Sequence, residues 1–114
     1  MTAPTVASTL HVTHGITEAE FAHVVATLGR LDERLRSFRA DAVELHLGVK
    51  ERDTVSQRTT LEARIAGRPR LVATSDLEEL DSALIEVRDD LIRQITDAKN
   101  RSEPKNNPSL RQRG

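Results

Sequence analysis

From residue 43 to residue 49 every second side chain is apolar. Val43, Leu45, Leu47 and Val49 alternate with Glu44, His46 and Gly48, and Lys50 follows. An extended backbone sends successive side chains to opposite faces, so this period of two predicts a half-buried strand over 43–50. Thr59, Leu61, Ala63 and Ile65 repeat the pattern against Thr60, Glu62 and Arg64, predicting a partner strand after a polar loop at 51–57. Ala66-Gly67-Arg68-Pro69 reads as a tight turn, and Leu71 and Ala73 carry the apolar face into a further strand. A weaker alternation of Val6, Ser8, Leu10 and Val12 predicts a short first strand over 6–13, ended by His14-Gly15.

Two stretches change to a helical period. Thr17 and Glu20 have the spacing of a capping box, in which each side chain satisfies a free amide at the helix start. Phe21, Val24, Val25, Leu28, Leu31, Leu35 and Phe38 then recur at intervals of three and four, predicting one helix of five turns. Gly29 inside it costs roughly 1 kcal/mol relative to Ala. The last helix is expected to be capped by Ser75 or Asp76. Its stripe is Leu77, Leu80, Leu84, Val87, Leu91, Ile95 and Ala98, broadened by Ile85 and Ile92.

The order is therefore β-α-β-β-β-α. Two amphipathic helices need one apolar face to cover, and the alternating strands supply it. The expected fold is α+β, a two-layer sandwich with both helices on one face of a four-stranded mixed sheet. The first strand and 42–50 would run parallel, joined by a right-handed helical crossover. The remaining strands are hairpins. Glu44, His46, Lys50, Thr60, Glu62 and Arg64 would then line an open, polar sheet face. Residues 1–102 are expected to form a single domain. Residues 103–114, with two Pro, two Asn and little apolar content, are expected to be a disordered basic tail.

Composition narrows the chemistry. The 114 residues include no Cys, Trp or Tyr, and Phe21 and Phe38 are the only aromatics apart from histidine. The core must be aliphatic, and disulfides, thiolate metal sites and Cys nucleophiles are excluded. No apolar run approaches the ~20 residues that span a bilayer, and the N-terminus lacks the form of a secretory signal. A cytoplasmic protein with no membrane partner is expected. His11, His14, His23 and His46 show no metal-ligand spacing, so no metal site is expected. No Gly-rich phosphate loop or nucleophile elbow occurs, and Asp89-Asp90 would lie side by side on a solvated face with nothing to shift a pKa. No cofactor and no enzymatic activity are expected.

What remains is a binding surface. Net charge is -1, but it is unevenly spread. Residues 1–75 hold ten Lys/Arg and nine Asp/Glu, residues 76–90 one Arg and seven acids, and residues 91–114 six Lys/Arg and two acids. Such polarity can orient a protein on an anionic partner. Arg and Lys on a folded rim contact phosphates without reading sequence. Exposed aromatics for base stacking are missing, so binding would be to RNA shape and backbone.

Particular positions carry a family likeness. Thr17, Glu18, Ala19, Val24, Leu28, Arg30 and Leu31, then Val49-Lys50-Glu51, then Leu91-Ile92-Arg93-Gln94-Ile95 and Lys99 lie along the predicted element order. In this layout and at these positions the chain resembles the ribosome hibernation promoting factors and ribosome-associated translation inhibitors, the sigma-54 modulation family, over roughly residues 6–101. The short form of that family is the one it resembles. There are departures: the tyrosine usual at the entry to the last helix is absent from Asp76–Leu84. Asp90, Thr96, Asp97 and Thr27 stand where the family usually has basic residues.

The resemblance implies a non-enzymatic translation inhibitor. It would bind 16S ribosomal RNA of the small ribosomal subunit in the mRNA and tRNA channel, bind no DNA, and be a monomer when free. Arg30, Arg34, Lys50, Arg64, Arg68, Arg93 and Lys99 would be its rRNA-binding residues. The rival expectation is a protein-interaction module on the same fold that has lost its RNA grip, motivated by the seven acids of residues 76–90.

Overall fold

The computed structural model describes residues 3–102, with side chains as far as residue 98. The strands are β1 (Leu10–His14), β2 (Val43–Lys50), β3 (Arg58–Ile65) and β4 (Leu71–Ser75). They form one sheet in the order β1-β2-β3-β4, with β1 parallel to β2 and the other pairs antiparallel. The helices are α1 (Val6–Thr9), α2 (Phe21–Thr27), α3 (Leu31–Leu35) and α4 (Leu80–Ser102). α4 packs on β3 and β4, and α2 and α3 pack against α4. The α+β sandwich with a four-stranded mixed sheet and helices on one face is thus observed.

The alternation of β2 and β3 makes the core. Val43, Leu45, Leu47, Leu61, Ala63 and Ile65 are buried on the helix side, where they meet Val24, Leu28, Leu31, Leu35, Leu84, Val87, Leu91 and Ile95. Leu45, Leu61, Leu84 and Leu91 are completely inaccessible. On the other face Glu44 pairs across with Arg64, His46 with Glu62, and Gly48 with Thr60, giving the polar surface that the sequence predicts.

Three elements differ from expectation. The first strand does not begin at residue 6: Val6–Thr9 is a single helical turn, and β1 starts at Leu10. Thr5 caps this turn by accepting the Ser8 amide, while the Ser8 hydroxyl accepts from the Thr5 amide at 3.0 Å. Short hydroxyl side chains offer the backbone this local alternative to a ladder. Val6 remains fully buried, and its amide donates to Asp32 Oδ1 at 2.8 Å, tying the segment to α3.

The predicted five-turn helix is instead a 3-10 turn (Glu18–Glu20), α2, and α3, separated at residues 28–30. There the amides of Gly29, Leu31 and Asp32 donate three residues back, to Ala26, Leu28 and Gly29. This tightening falls at the glycine, the residue with the weakest hold on helical geometry. The stripe survives the break, because Val24, Leu28, Leu31 and Leu35 all stay buried.

The last helix starts at Leu80, later than predicted. Ser75 Oγ accepts from the Leu77 amide and so closes the preceding turn rather than capping α4. Leu77 and Ile85 are 42% and 43% exposed, so neither belongs to the buried stripe, whereas Ala83 does. The expected tail at 103–114 lies outside the described residues.

Two further contacts close the domain. Gln57, in the β2–β3 loop, is 1% exposed. It donates to the Leu77 and Glu78 carbonyls and accepts the Asp53 amide at 2.9 Å, clamping that loop to the β4–α4 connection. Gly15 turns the chain after β1 at φ 82°, and a β-carbon there would run into the Val49 carbonyl.

Leu84→Ala should lower stability by about 2–5 kcal/mol in a denaturant melt, the range for a fully buried leucine that leaves a cavity. A loss near that of a surface substitution would place α4 in the wrong rotation. Gly15→Ala should cost at least about 1–3 kcal/mol from its backbone conformation alone, before the clash with β2.

Candidate nucleic-acid interface

The predicted basic residues do not form one rim. Arg30 precedes α3 and Arg34 lies on it, both exposed. They share an open groove with Glu33 and with Asp89 and Ile92 of α4, so they belong to the helix layer. Lys50 and Arg64 lie on the opposite, open face of the sheet. Their registers, Lys50 with Arg58 and Arg64 with Glu44, put them at opposite ends of the β2–β3 pair. Arg64 and Arg68 are brought together with Arg70 around the β3–β4 hairpin. Arg68 is half-buried, its guanidinium 5.3 Å from the Phe38 ring centre, a cation–π distance. Arg93 lies on another flank of α4, facing Thr74 and Ile85. Lys99 is in α4, but its side chain is outside the described set.

Ion pairs divide these cations further. Arg93 is held by Asp90 at 2.7 Å. Arg64 lies 3.4 Å from Glu62, which Arg70 also approaches at 2.9 Å. Arg88 lies along Asp89 and donates to the Thr27 carbonyl at 3.1 Å. Arg30, Arg34 and Lys50 have no ion-pair partner among the described residues. They are the predicted contacts whose charge is fully available to a phosphate.

Arg52 takes a structural role. Two of its nitrogens meet Glu20 at 3.0 and 2.7 Å, and it donates to the Gly15 carbonyl at 2.6 Å. Glu20 in turn accepts the Thr17 amide, the back-reaching half of the predicted capping box. The Arg52 hydrogen bonds, with help from Thr17, hold the Glu20 carboxyl down at about 2, against a usual 4.5. The same contact raises the Arg52 pKa. This pair staples the start of the first helical segment to the end of β2.

A histidine group on the open sheet face was not foreseen. The parallel register sets His11 beside His46, and their rings stack at 5.1 Å between centroids. His46 Nε2 is 3.1 Å from Glu44, whose pKa is lowered chiefly by that hydrogen bond. The register shifts between Val12 and His14, and there the His14 ring packs over Gly48, where a β-carbon would come within 2.8 Å of it. The signal was present in the sequence as one histidine, His11 and His46, in each of the first two predicted strands, but it needed the strand register to become a contact. The rings stack rather than converge. Among the described residues no group of three or more His, Cys, Asp or Glu could hold a metal ion, and no helix is long and apolar enough to cross a membrane.

No protein-family model matches the chain, and none of the curated proteins matches it. Solved structures do match in fold. The N-terminal domain of Protein Y from Thermus thermophilus superposes with a TM-score of 0.54 at 18% identity, covering 78% of this chain and 97% of that one. A ribosomal subunit interface protein from Coxiella burnetii gives a TM-score of 0.50 at 13% identity, covering 80% and 97%. At these identities the likeness is one of fold.

The Glu20–Arg52 pair sets a pH dependence. Because the folded carboxyl titrates far below its unfolded value, its contribution is complete above the usual 4.5 and fades as pH falls toward 2. The melting-temperature gap between wild type and Glu20→Gln should be constant near neutral pH and narrow steadily through that acid window. A gap that stays constant down to pH 2 would mean that the pair contributes nothing through its charge.

Proposed function

We propose that this protein is a ribosome-associated, non-enzymatic translation inhibitor of the hibernation type, which binds small-subunit 16S ribosomal RNA where mRNA and tRNA would lie. The observation that carries this reading is the agreement of two independent likenesses. The positions between Thr17 and Lys99 that carry the family likeness resemble the hibernation factors. The β-α-β-β-β-α architecture superposes on nearly the whole of two solved structures, one of them a ribosomal subunit interface protein. In this reading the domain is a rigid wedge. Its aliphatic core holds Arg30 and Arg34 on one side and Lys50, Arg64 and Arg68 on the other, so that phosphates on two walls of a channel are met at once. Arg93 and Lys99 extend the contact along α4. Arg93 must leave Asp90 to reach a phosphate, so it contributes less than Arg30 or Arg34.

A second reading is favoured by the ion pairs themselves. Arg64, Arg88 and Arg93 are all occupied by neighbouring acids, and α4 opens with an acidic surface. On that reading the fold serves as a protein-interaction module without RNA binding.

Sedimentation of the purified protein with 30S and 70S particles across a salt series separates the two. Phosphate contacts release counterions, so wild-type binding should fall steeply with salt. Arg30→Glu with Arg34→Glu should flatten the log–log slope by roughly 2 units. These exposed charges contribute only about 0–1 kcal/mol each to stability, so the melt should hardly move. Inhibition of cell-free translation should fall in parallel. Wild-type protein that never sediments with ribosomes would overturn the ribosome reading in favour of the protein-interaction module.

A further inference from the structure

The outward positions of β2 run His46, Gly48 and Lys50, and Gly48 has no side chain. An open trough of about 310 Å³ lies on the sheet there, with Gly48 and its β3 partner Thr60 in its lining. His14 and His46 both border it. Its volume is at the small end of the ligand-site range of about 300–1,000 Å³, room for one base.

Both rings are held before anything binds. The His14 ring leans over Gly48, and its Nδ1 is 3.0 Å from the Thr13 hydroxyl. His46 is fixed twice, by Glu44 at Nε2 and by the His11 ring stacked on it. His11 does not line the trough, so it backs one face of His46 and leaves the other to the trough. Phe21 and Phe38 are packed against the core, so the flat side chains that the open face offers are imidazoles. Imidazole is one of the rings on which unpaired bases stack.

The charge around the trough suits a phosphate strand. Lys50 and Arg70 line it, and both are exposed. Glu62 is the one acid among the described lining residues, and its carboxylate is shared, 3.4 Å from Arg64 and 2.9 Å from Arg70. Two guanidiniums on one carboxylate leave a positive excess, to which Lys50 adds. Lys50 ends β2 and Arg70 precedes β4, so the cations flank the rings instead of covering them.

We propose that this trough takes an unpaired nucleotide of a single-stranded RNA, its base stacked on His46 and the adjoining phosphates met by Lys50 and Arg70. The inference rests on the RNA-binding reading for the class of partner. It adds base stacking where the sequence predicts contact with RNA shape and backbone alone. Stacking tolerates any base, because every base has a flat face, so the trough selects an unpaired strand over a duplex.

The test is an NMR titration of the full chain with a short oligoadenylate and with an abasic ribose-phosphate strand of equal length and charge. Oligoadenylate should shift the amides of His46, Gly48 and Thr60 and move the His46 ring protons upfield, as a base lying over the ring does. The abasic strand should bind about tenfold more weakly, and His46→Ala should lose a similar factor for oligoadenylate. His46→Phe, which keeps a flat ring and carries no charge, should bind as wild type does. The comparison of the two strands uses the unaltered chain, so it decides the matter even if His46→Ala melts low. Equal binding by the abasic strand, by adenosine monophosphate or by an oligoglutamate peptide, or undiminished binding by His46→Ala, would overturn the proposal. An unmoved sheet face in a protein that still sediments with ribosomes would overturn the trough alone. Shifts at the trough in a protein that never sediments with ribosomes would support it and overturn the ribosome reading alone.

Discussion

The pairing of β2 with β3 is the constraint on which the rest of the molecule depends. Eight consecutive pairs, from Val43 with Ile65 to Lys50 with Arg58, match every apolar residue of one strand with a small or apolar residue of the other. A slip of one residue in β3 would turn Leu61, Ala63 and Ile65 to water and bury Glu62 and Arg64, so the register is strongly specified. It sets the plane on which α4 lies and gives β1 and β4 their places. It also generates the open face, because Glu44, His46, Glu62 and Arg64 face outward for the same reason that the leucines face inward.

Much of this was legible in the sequence, and the reasons differ by element. β2 and β3 were readable because a period of two over seven or eight residues has no helical alternative. α4 was readable from its long stripe, although its rotation was blurred by Ile85, an apolar residue one position beyond Leu84 and so about 100° round the helix. The helical break at 28–30 was not readable, since the apolar spacing continues through it and only Gly29 hints at a change. The turn at Val6–Thr9 was hidden because a buried Val6 suits a strand or a helical turn equally. Gln57 reads as a loop residue, and its clamp on Leu77 and Glu78 exists only once the chain ends have met.

The candidate interface was less legible than the fold. The sequence supplies the cations but not their neighbours. Arg93 with Asp90 is a helical pair three residues apart, and Arg64 shares an outward strand face with Glu62, so these two pairings follow from periodicity. The pair of Arg52 with Glu20 joins residues 32 positions apart and could not be read locally. It converts a strand-end cation, outwardly as good a phosphate contact as Lys50, into a bolt between the first helical segment and the sheet. A count of basic residues therefore overstates the charge that a nucleic acid would meet, and among the predicted contacts whose side chains are described Arg30, Arg34 and Lys50 carry most of what is left.

The distribution of these charges gives the domain two unlike ends. Arg30 and Arg34 share a groove with Asp89 of α4, whereas Lys50 lies on the open face of the sheet, away from that helix. Long-range fields in water are screened within ~10 Å at ordinary salt. A near-neutral domain can therefore present an anion-binding surface on one side and a cation-binding one on another without either cancelling the other. Net charge is then the wrong quantity for judging what the protein binds. The relevant one is local: which side chains are already paired, and which backbone edges have no neighbour. By that measure the exposed Arg30, Arg34 and Lys50 are places where the described part of the domain leaves charge unspent.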